Sequence, residues 1–157
     1  MNIIPFGLPC INREEINAVK KVIQSKWIGS GPITQSFEKK FNKYKKSKYS
    51  LSVNSCTAGL HLSLLVLGIK SGDEVITTPL TFCSTINSIL MVGAKPVLVD
   101  INRETLNLDE TKIEEKITKN TKALLIVHYA GLPCHMYPIL KIAKKYNLKI
   151  IEDVAQA

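Results

Sequence analysis

The stretch YSLSVNSCTAGLHLSLLVL, running from Tyr49 to Leu67, decides how the rest of the chain is read. Leu51 and Val53 alternate with polar neighbours as in a short strand. Asn54, Ser55, Cys56 and Thr57 then make a tight polar turn, and a helix opened by Ala58 and Gly59 carries Leu60, Leu64 and Leu67 at helical spacing. A helix that begins where a strand stops leaves its first backbone N–H groups without intrahelical acceptors. Those groups, the positive end of the helix dipole and the hydroxyls of Ser55 and Thr57 suit an anion, and the small side chains of Cys56, Ala58 and Gly59 let a phosphate approach the backbone. Taken alone, the stretch is better explained by a plain helix cap at Asn54, Ser55 or Thr57.

Upstream, the opening MNIIPFGLPC is proline-punctuated and extended. Asn12-Arg13-Glu14-Glu15 fits a capping box that opens a helix with Ile16, Val19, Val22 and Ile23 on one face, ending near Lys26. Trp27 to Pro32 is a loop by its glycines and proline, and its tryptophan suits either a packing anchor or the wall of a ligand site. Phe37, Phe41 and Tyr44 then define an apolar helix face, with Lys39, Lys40, Lys43, Lys45, Lys46 and Lys48 around it as a solvated back. That pattern accounts for most of the formal charge of +8 without nucleic acid as a partner.

Downstream, Gly68 stops the helix, and strand and helix alternate to the end. The spacing predicts strands at Val75 to Pro79, Pro96 to Val99, Ala123 to Val127 and Lys149 to Glu152. It predicts helices entered at Leu80 to Thr85 and ending at Gly93, from about Asp109 to Ile117, and over Met136 to Tyr146. This is an α/β pattern, a mostly parallel sheet with helices on both faces, which binds ligands at the carboxyl ends of its strands. The polar residues at those ends are the Asn54 to Thr57 turn, Asp100, His128 and Asp153. A carboxylate closing the buried strand before Asp153 needs a cation, donors or a cap. His128 reads as a hydrogen-bonded structural imidazole, and Phe82 by default as a core residue.

The 157 residues, 45% hydrophobic and 22% charged, make about one domain with an ordinary core. The four cysteines form no C-x-x-C pair, and the three histidines supply no metal-ligand spacing, so no structural metal is expected. No leader and no membrane-length apolar run is legible, which predicts a cytoplasmic protein with reduced thiols. Neither G-x-G-x-x-G after a strand, nor G-x-x-x-x-G-K-[ST], nor a G-x-S-x-G elbow occurs.

Seven ordered blocks are together more specific than any one of these motifs: Val53 to His61, Gly72 to Pro79, Thr81-Phe82, Gly93 to Val97, Thr121 to Ala123, Val127 to Gly131 and Ile151 to Ala157. With the opening P-F-x-x-P and the Trp27 to Pro32 loop, the chain from about residue 4 to its end resembles the N-terminal half of the large domain of the DegT/DnrJ/EryC1/StrS sugar aminotransferases. These are pyridoxal-phosphate enzymes of the fold type I, aspartate aminotransferase, architecture. The resemblance implies an N-terminal segment and active-site loop over 1–32 and part of the cofactor-binding large domain over 33–157. It puts the phosphate turn on Cys56, Thr57 and Ala58, the aromatic stacking on the cofactor ring at Phe82, the carboxylate facing the ring nitrogen at Asp153, and a contact on the ring hydroxyl side at Gln156. It also puts Phe6, Gly7, Leu8, Pro9, Lys26, Trp27, Ile28 and Gly29 near a nucleotide-sugar substrate.

The lysine that holds the cofactor in this family lies downstream of the E-D-x-A-Q-A block, so no lysine here is assigned as catalytic. The chain also halts just past a strand with no helix to cover the sheet, which leads us to expect an N-terminal fragment, inactive by itself, of a longer protein. The implied parent activity is amino transfer, with glutamate as donor, to a nucleotide-linked keto-deoxysugar in polysaccharide or glycan synthesis, by a homodimer. The alternatives are a same-family deoxysugar dehydratase, in which a histidine replaces the lysine, and a non-catalytic truncated cofactor-binding module.

Overall fold

The computed structural model describes residues 7–157. The chain falls into two compact units, divided between Ser52 and Val53. In the first, helix α1 (Arg13–Gln24) opens as expected: the Glu15 carboxylate accepts from the Asn12 N–H at 2.6 Å, and that bond holds the carboxyl below its usual range. Lys26 takes a left-handed backbone (φ 60°) just beyond the helix. Helix α2 (Pro32–Lys45) starts on a proline, which needs no N–H partner there, and stops where Lys46 turns left-handed (φ 52°).

Between the two helices, Trp27 closes the loop on itself. Its indole Nε1 donates to Ser30 O at 3.0 Å, and a Cβ on Gly31 would stand 2.4 Å from that nitrogen, so Gly31 makes the room for the ring. The apolar face of α2 forms as the spacing predicts, with the Phe37 and Phe41 ring centroids 6.1 Å apart. It is not a buried face: Phe37, Phe41 and Tyr44 are exposed, as are Ile16, Val19 and Ile23 on α1.

The second unit is a four-stranded parallel sheet in the order β2-β1-β3-β4, built from β1 (Glu74–Thr77), β2 (Lys95–Leu98), β3 (Thr121–Val127) and β4 (Lys149–Asp153). Its inner strands β1 and β3 are buried on both sides, and alternate residues sort into two cores. Val75, Ala123, Leu125 and Ile151 face Leu60 and Leu64 of α3 (Cys56–Val66) and Ile89 of α4 (Cys83–Met91). Ile76, Leu124 and Ile126 face Ile139, Ile142 and Ala143 of α5 (Met136–Lys145), with Leu108 and Ile113. The expected α/β fold with helices on both faces is therefore present.

Two expected elements are not. Residues 51–53 form no strand, because their apolar alternation finds no partner strand among the described residues. The helix expected from Asp109 to Ile117 is replaced by two 3₁₀ turns, Glu110–Lys112 and Glu114–Lys116. The segment buries only Ile113 between them. Asp109 caps the first turn through Thr111 N–H at 3.1 Å, and so short a segment gains too little packing to sustain α-helix.

At the amino edge of the sheet, buried Glu74 accepts from Thr118 Oγ1 at 2.6 Å and Lys95 Nζ at 3.1 Å. These bonds, the threonine first, hold its carboxyl below the usual range. A depressed carboxylate contributes stability that is fully present above its unfolded value and is lost as pH falls through its folded value. Glu74→Gln should therefore cost about 1–2 kcal/mol near neutral pH, the worth of hydrogen bonds to a charged group. In urea titrations the gap from wild type should close as the pH drops below the ordinary glutamate range; a pH-independent gap would show that the charge does not matter.

Candidate active site

Because the strands are parallel, the loops leaving the carboxyl ends of β1, β3 and β4 meet at one edge, where α3 also begins. They enclose a cleft of about 380 Å³ lined by Cys56 and Thr57, Thr81 and Phe82, His128 and Tyr129, and Asp153 and Gln156. Asp153 ends β4 opposite Val127 of β3, and is only 6% exposed.

Its carboxylate is well supplied with donors. Thr85 Oγ1 donates to Oδ2 at 2.9 Å, Ala155 N–H to Oδ1 at 3.2 Å, and Cys56 Sγ lies 3.5 Å from Oδ1. Thr85 is itself fully buried and lies 2.7 Å from Thr81 Oγ1. Burial, and then the negative charge of Asp153, push the Cys56 thiol up, so it stays a neutral donor at neutral pH.

Helix α3 begins two residues earlier than the sequence suggests, at Cys56, and Ser55 is its N-cap. Ser55 Oγ accepts from Ala58 N–H at 3.1 Å. The cap and the anion site are thus both legible in one turn: capping uses Ser55 and Ala58, while the N–H groups of Cys56 and Thr57 have no intrahelical acceptor and lie at the cleft. Ala58 does not line the cleft, and its N–H is taken.

The opposite wall is the 3₁₀ turn Tyr129–Gly131. Buried His128 accepts from Cys134 N–H through Nδ1 at 3.1 Å, which assigns the ring proton to Nε2, 2.9 Å from Glu152 Oε2. It is a hydrogen-bonded structural imidazole, as the sequence suggests. Cys134 donates to Val127 O at 3.1 Å, and burial pushes its thiol up to about 11. Gln156 Oε1 accepts from Ala130 N–H at 2.9 Å. Gly131 has φ +82°, and a Cβ there would meet Gln156 O at 2.6 Å, so only glycine lets the two backbones approach. Asn107 anchors the turn from behind: its Oδ1 accepts from Tyr129 N–H and its Nδ2 donates to Leu132 O, both at 2.9 Å.

Five of the residues singled out from sequence, Cys56, Thr57, Phe82, Asp153 and Gln156, share this cleft. Phe82 corrects the default core reading, since it is 76% exposed and stands at the N-cap of α4. In the first unit, Gly7 is a left-handed turn residue (φ 72°), and Leu8, Trp27 and Ile28 are exposed. Pro9, Lys26 and Gly29 are exposed as well, and Phe6 lies outside the described residues. Ile28 lines an apolar hollow with Val19, Val22, Ile23 and Ile33. Sequence reasoning missed Thr81, Thr85 and Asn107. The one available signal was that Thr85 and Ser88 share the helix face of Ile89, where polar side chains need buried partners.

The DegT/DnrJ/EryC1/StrS aminotransferase family matches residues 9–157. The chain is 55% identical over 154 residues to an uncharacterized protein of Methanocaldococcus jannaschii, an overlap of 98% of this chain and 40% of that protein. It is 47% identical over 154 residues to the spore coat polysaccharide biosynthesis protein SpsC of Bacillus subtilis, with the same shares of 98% and 40%. The crystal structure of NtdA from Bacillus subtilis with bound cofactor PMP superposes with a TM-score of 0.89 at 39% identity, covering 92% of this chain and 33% of that one. The chain spans about 40% of the length of the curated relatives it matches.

Proposed function

The chain belongs to the DegT/DnrJ/EryC1/StrS aminotransferase family, and on that premise we propose that it is the cofactor-binding part of a pyridoxal-phosphate-dependent sugar aminotransferase of fold type I. The observation that carries this reading is a buried, donor-held carboxylate, Asp153, opening onto the same cleft as the unsatisfied N-terminus of α3. A cationic ring nitrogen and a phosphate on one ligand fit those two features together. When bound, pyridoxal phosphate supplies an electron sink for the carbanion formed on amino transfer.

The chain's residues bind and orient it. Asp153 would accept the ring N–H and favour the protonated ring. The backbone N–H groups of Cys56 and Thr57, with the Thr57 hydroxyl, would hold the phosphate at the helix N-terminus, beside Ala58. Phe82 offers an exposed ring face for stacking, and Gln156 would contact the ring hydroxyl side. The Phe6 to Pro9 and Lys26 to Gly29 segments contribute to a substrate site for a nucleotide-linked keto-deoxysugar, with glutamate as amino donor. The similarity to SpsC, a spore coat polysaccharide biosynthesis protein, supports placing the product in polysaccharide synthesis. The parent works as a cytoplasmic homodimer.

Pyridoxamine phosphate tests the cofactor reading directly, because it lacks the aldehyde that would label surface lysines. Calorimetric titration of the chain should give saturable binding; absence of binding would remove the proposal. Since none of its lysines is assigned to the cofactor, the 157-residue chain should transfer no amino group from glutamate to a keto-sugar nucleotide. Product detected by chromatography would contradict that.

A further inference from the structure

We propose that Thr85 is a positioning residue that aims the Asp153 carboxylate at its ligand, with Thr81 as the outer member of the same hydrogen-bond chain. The proposal deepens the cofactor reading above and rests on it. A carboxylate offers about four acceptor positions, two on each oxygen. Around Asp153, Ala155 N–H and the Cys56 thiol take both on Oδ1, and Thr85 takes one on Oδ2. Among the described residues the second lone pair of Oδ2 is the one left, and it is the place for a single N–H from the cleft. Thr85 shares that oxygen, so it fixes where the remaining lone pair points.

The polarity of the chain is also determined. An ionised carboxylate only accepts, so the single proton of Thr85 is committed to Asp153 and its oxygen must accept from Thr81 across 2.7 Å. Thr81 lines the cleft, whereas Thr85 is fully buried on α4. A hydroxyl that already donates strengthens the acceptor it receives with, and the low local dielectric enhances both bonds. Three donors on one carboxylate oppose rotation about the Asp153 side chain. The cleft therefore presents one oriented acceptor position rather than a free carboxylate, which suits a single N–H cation and not a bidentate guanidinium.

The test uses pyridoxamine phosphate labelled with ¹⁵N in the ring, added to wild type, Thr85→Val, Thr85→Ser, Thr81→Val and Asp153→Asn near neutral pH. Thr85→Val should weaken binding by about tenfold and move the ring ¹⁵N resonance toward its unprotonated position, and Thr85→Ser should restore both. Circular dichroism confirms the fold of each variant. If Thr85→Val does not fold, Thr81→Val leaves the buried residue in place and should move both readouts in the same direction by about twofold to fivefold in affinity. Unchanged affinity and ¹⁵N position in these variants, alongside loss of both in Asp153→Asn, would overturn the role of Thr85 and leave the cofactor reading intact. Failure of the wild type to bind would overturn the cofactor reading and this inference with it.

Discussion

Asp153→Asn is expected to lower the affinity of the chain for pyridoxamine phosphate by about a hundredfold to a thousandfold, while its stability to urea changes by no more than about 1 kcal/mol. The divergence follows from what the amide keeps and what it loses. The substituted side chain has the same shape, and its carbonyl oxygen can still accept from Ala155 N–H and the Cys56 thiol. Its amide nitrogen would donate to Thr85, which would turn its own proton toward Thr81. The hydrogen-bonded set therefore reorganises rather than collapses. The charge, however, is gone, and a cationic ring nitrogen held in the cleft loses the partner of a largely desolvated pair, which costs about 3–4 kcal/mol. Calorimetry and urea unfolding of the same preparations separate the two effects. Equal affinity in the variant would reduce Asp153 to a cap of the Val154-Ala155 turn and take away the main support for the cofactor reading.

Elements governed by local pattern were readable from sequence. The apolar run of β3, the glycine stop at Gly68 and the capping of α1 each follow from neighbouring residues, and each is in the structure. The failures lie where long-range partners decide. Residues 51–53 have strand alternation, but a strand exists only when another chain segment pairs with it. Residues 109–117 have helical spacing, but only Ile113 is buried, with Ile117 packed at the edge of the core, and two 3₁₀ turns suffice to place them.

The site divides in the same way. Cys56 and Thr57 were legible because their chemistry is that of a helix N-terminus, a local property. Phe82 looked like core because an aromatic by itself carries no sign of which face it presents. The role of Thr85 was not legible: its place on the helix face of Ile89 signals a buried hydroxyl, but the carboxylate that hydroxyl meets is 68 residues away. Asn107 joins residues 22 and 25 positions on, which only the folded chain brings together.

That last residue allows burial to be separated from hydrogen-bond number. Asn107 and Asn102 each make two side-chain bonds to backbone groups. Asn102 Oδ1 accepts from Glu104 N–H at 2.9 Å and Thr105 N–H at 3.3 Å in an exposed loop, whereas Asn107 is 3% exposed. Asn107→Ala empties a buried position and takes the partners from the Tyr129 N–H and the Leu132 carbonyl, and should destabilise the chain by about 2–3 kcal/mol. Asn102→Ala lets water replace the lost acceptor, so its cost should stay below about 1 kcal/mol. The larger loss has a functional side. Tyr129 and His128 form the cleft wall, and Ala130 N–H holds Gln156, so a loosened 128–132 turn should also weaken pyridoxamine phosphate binding by about tenfold. Urea unfolding and calorimetry on the two alanine variants decide the point. If they cost the same, the 128–132 turn is held by the rest of its backbone and Asn107 does not position the wall of the site.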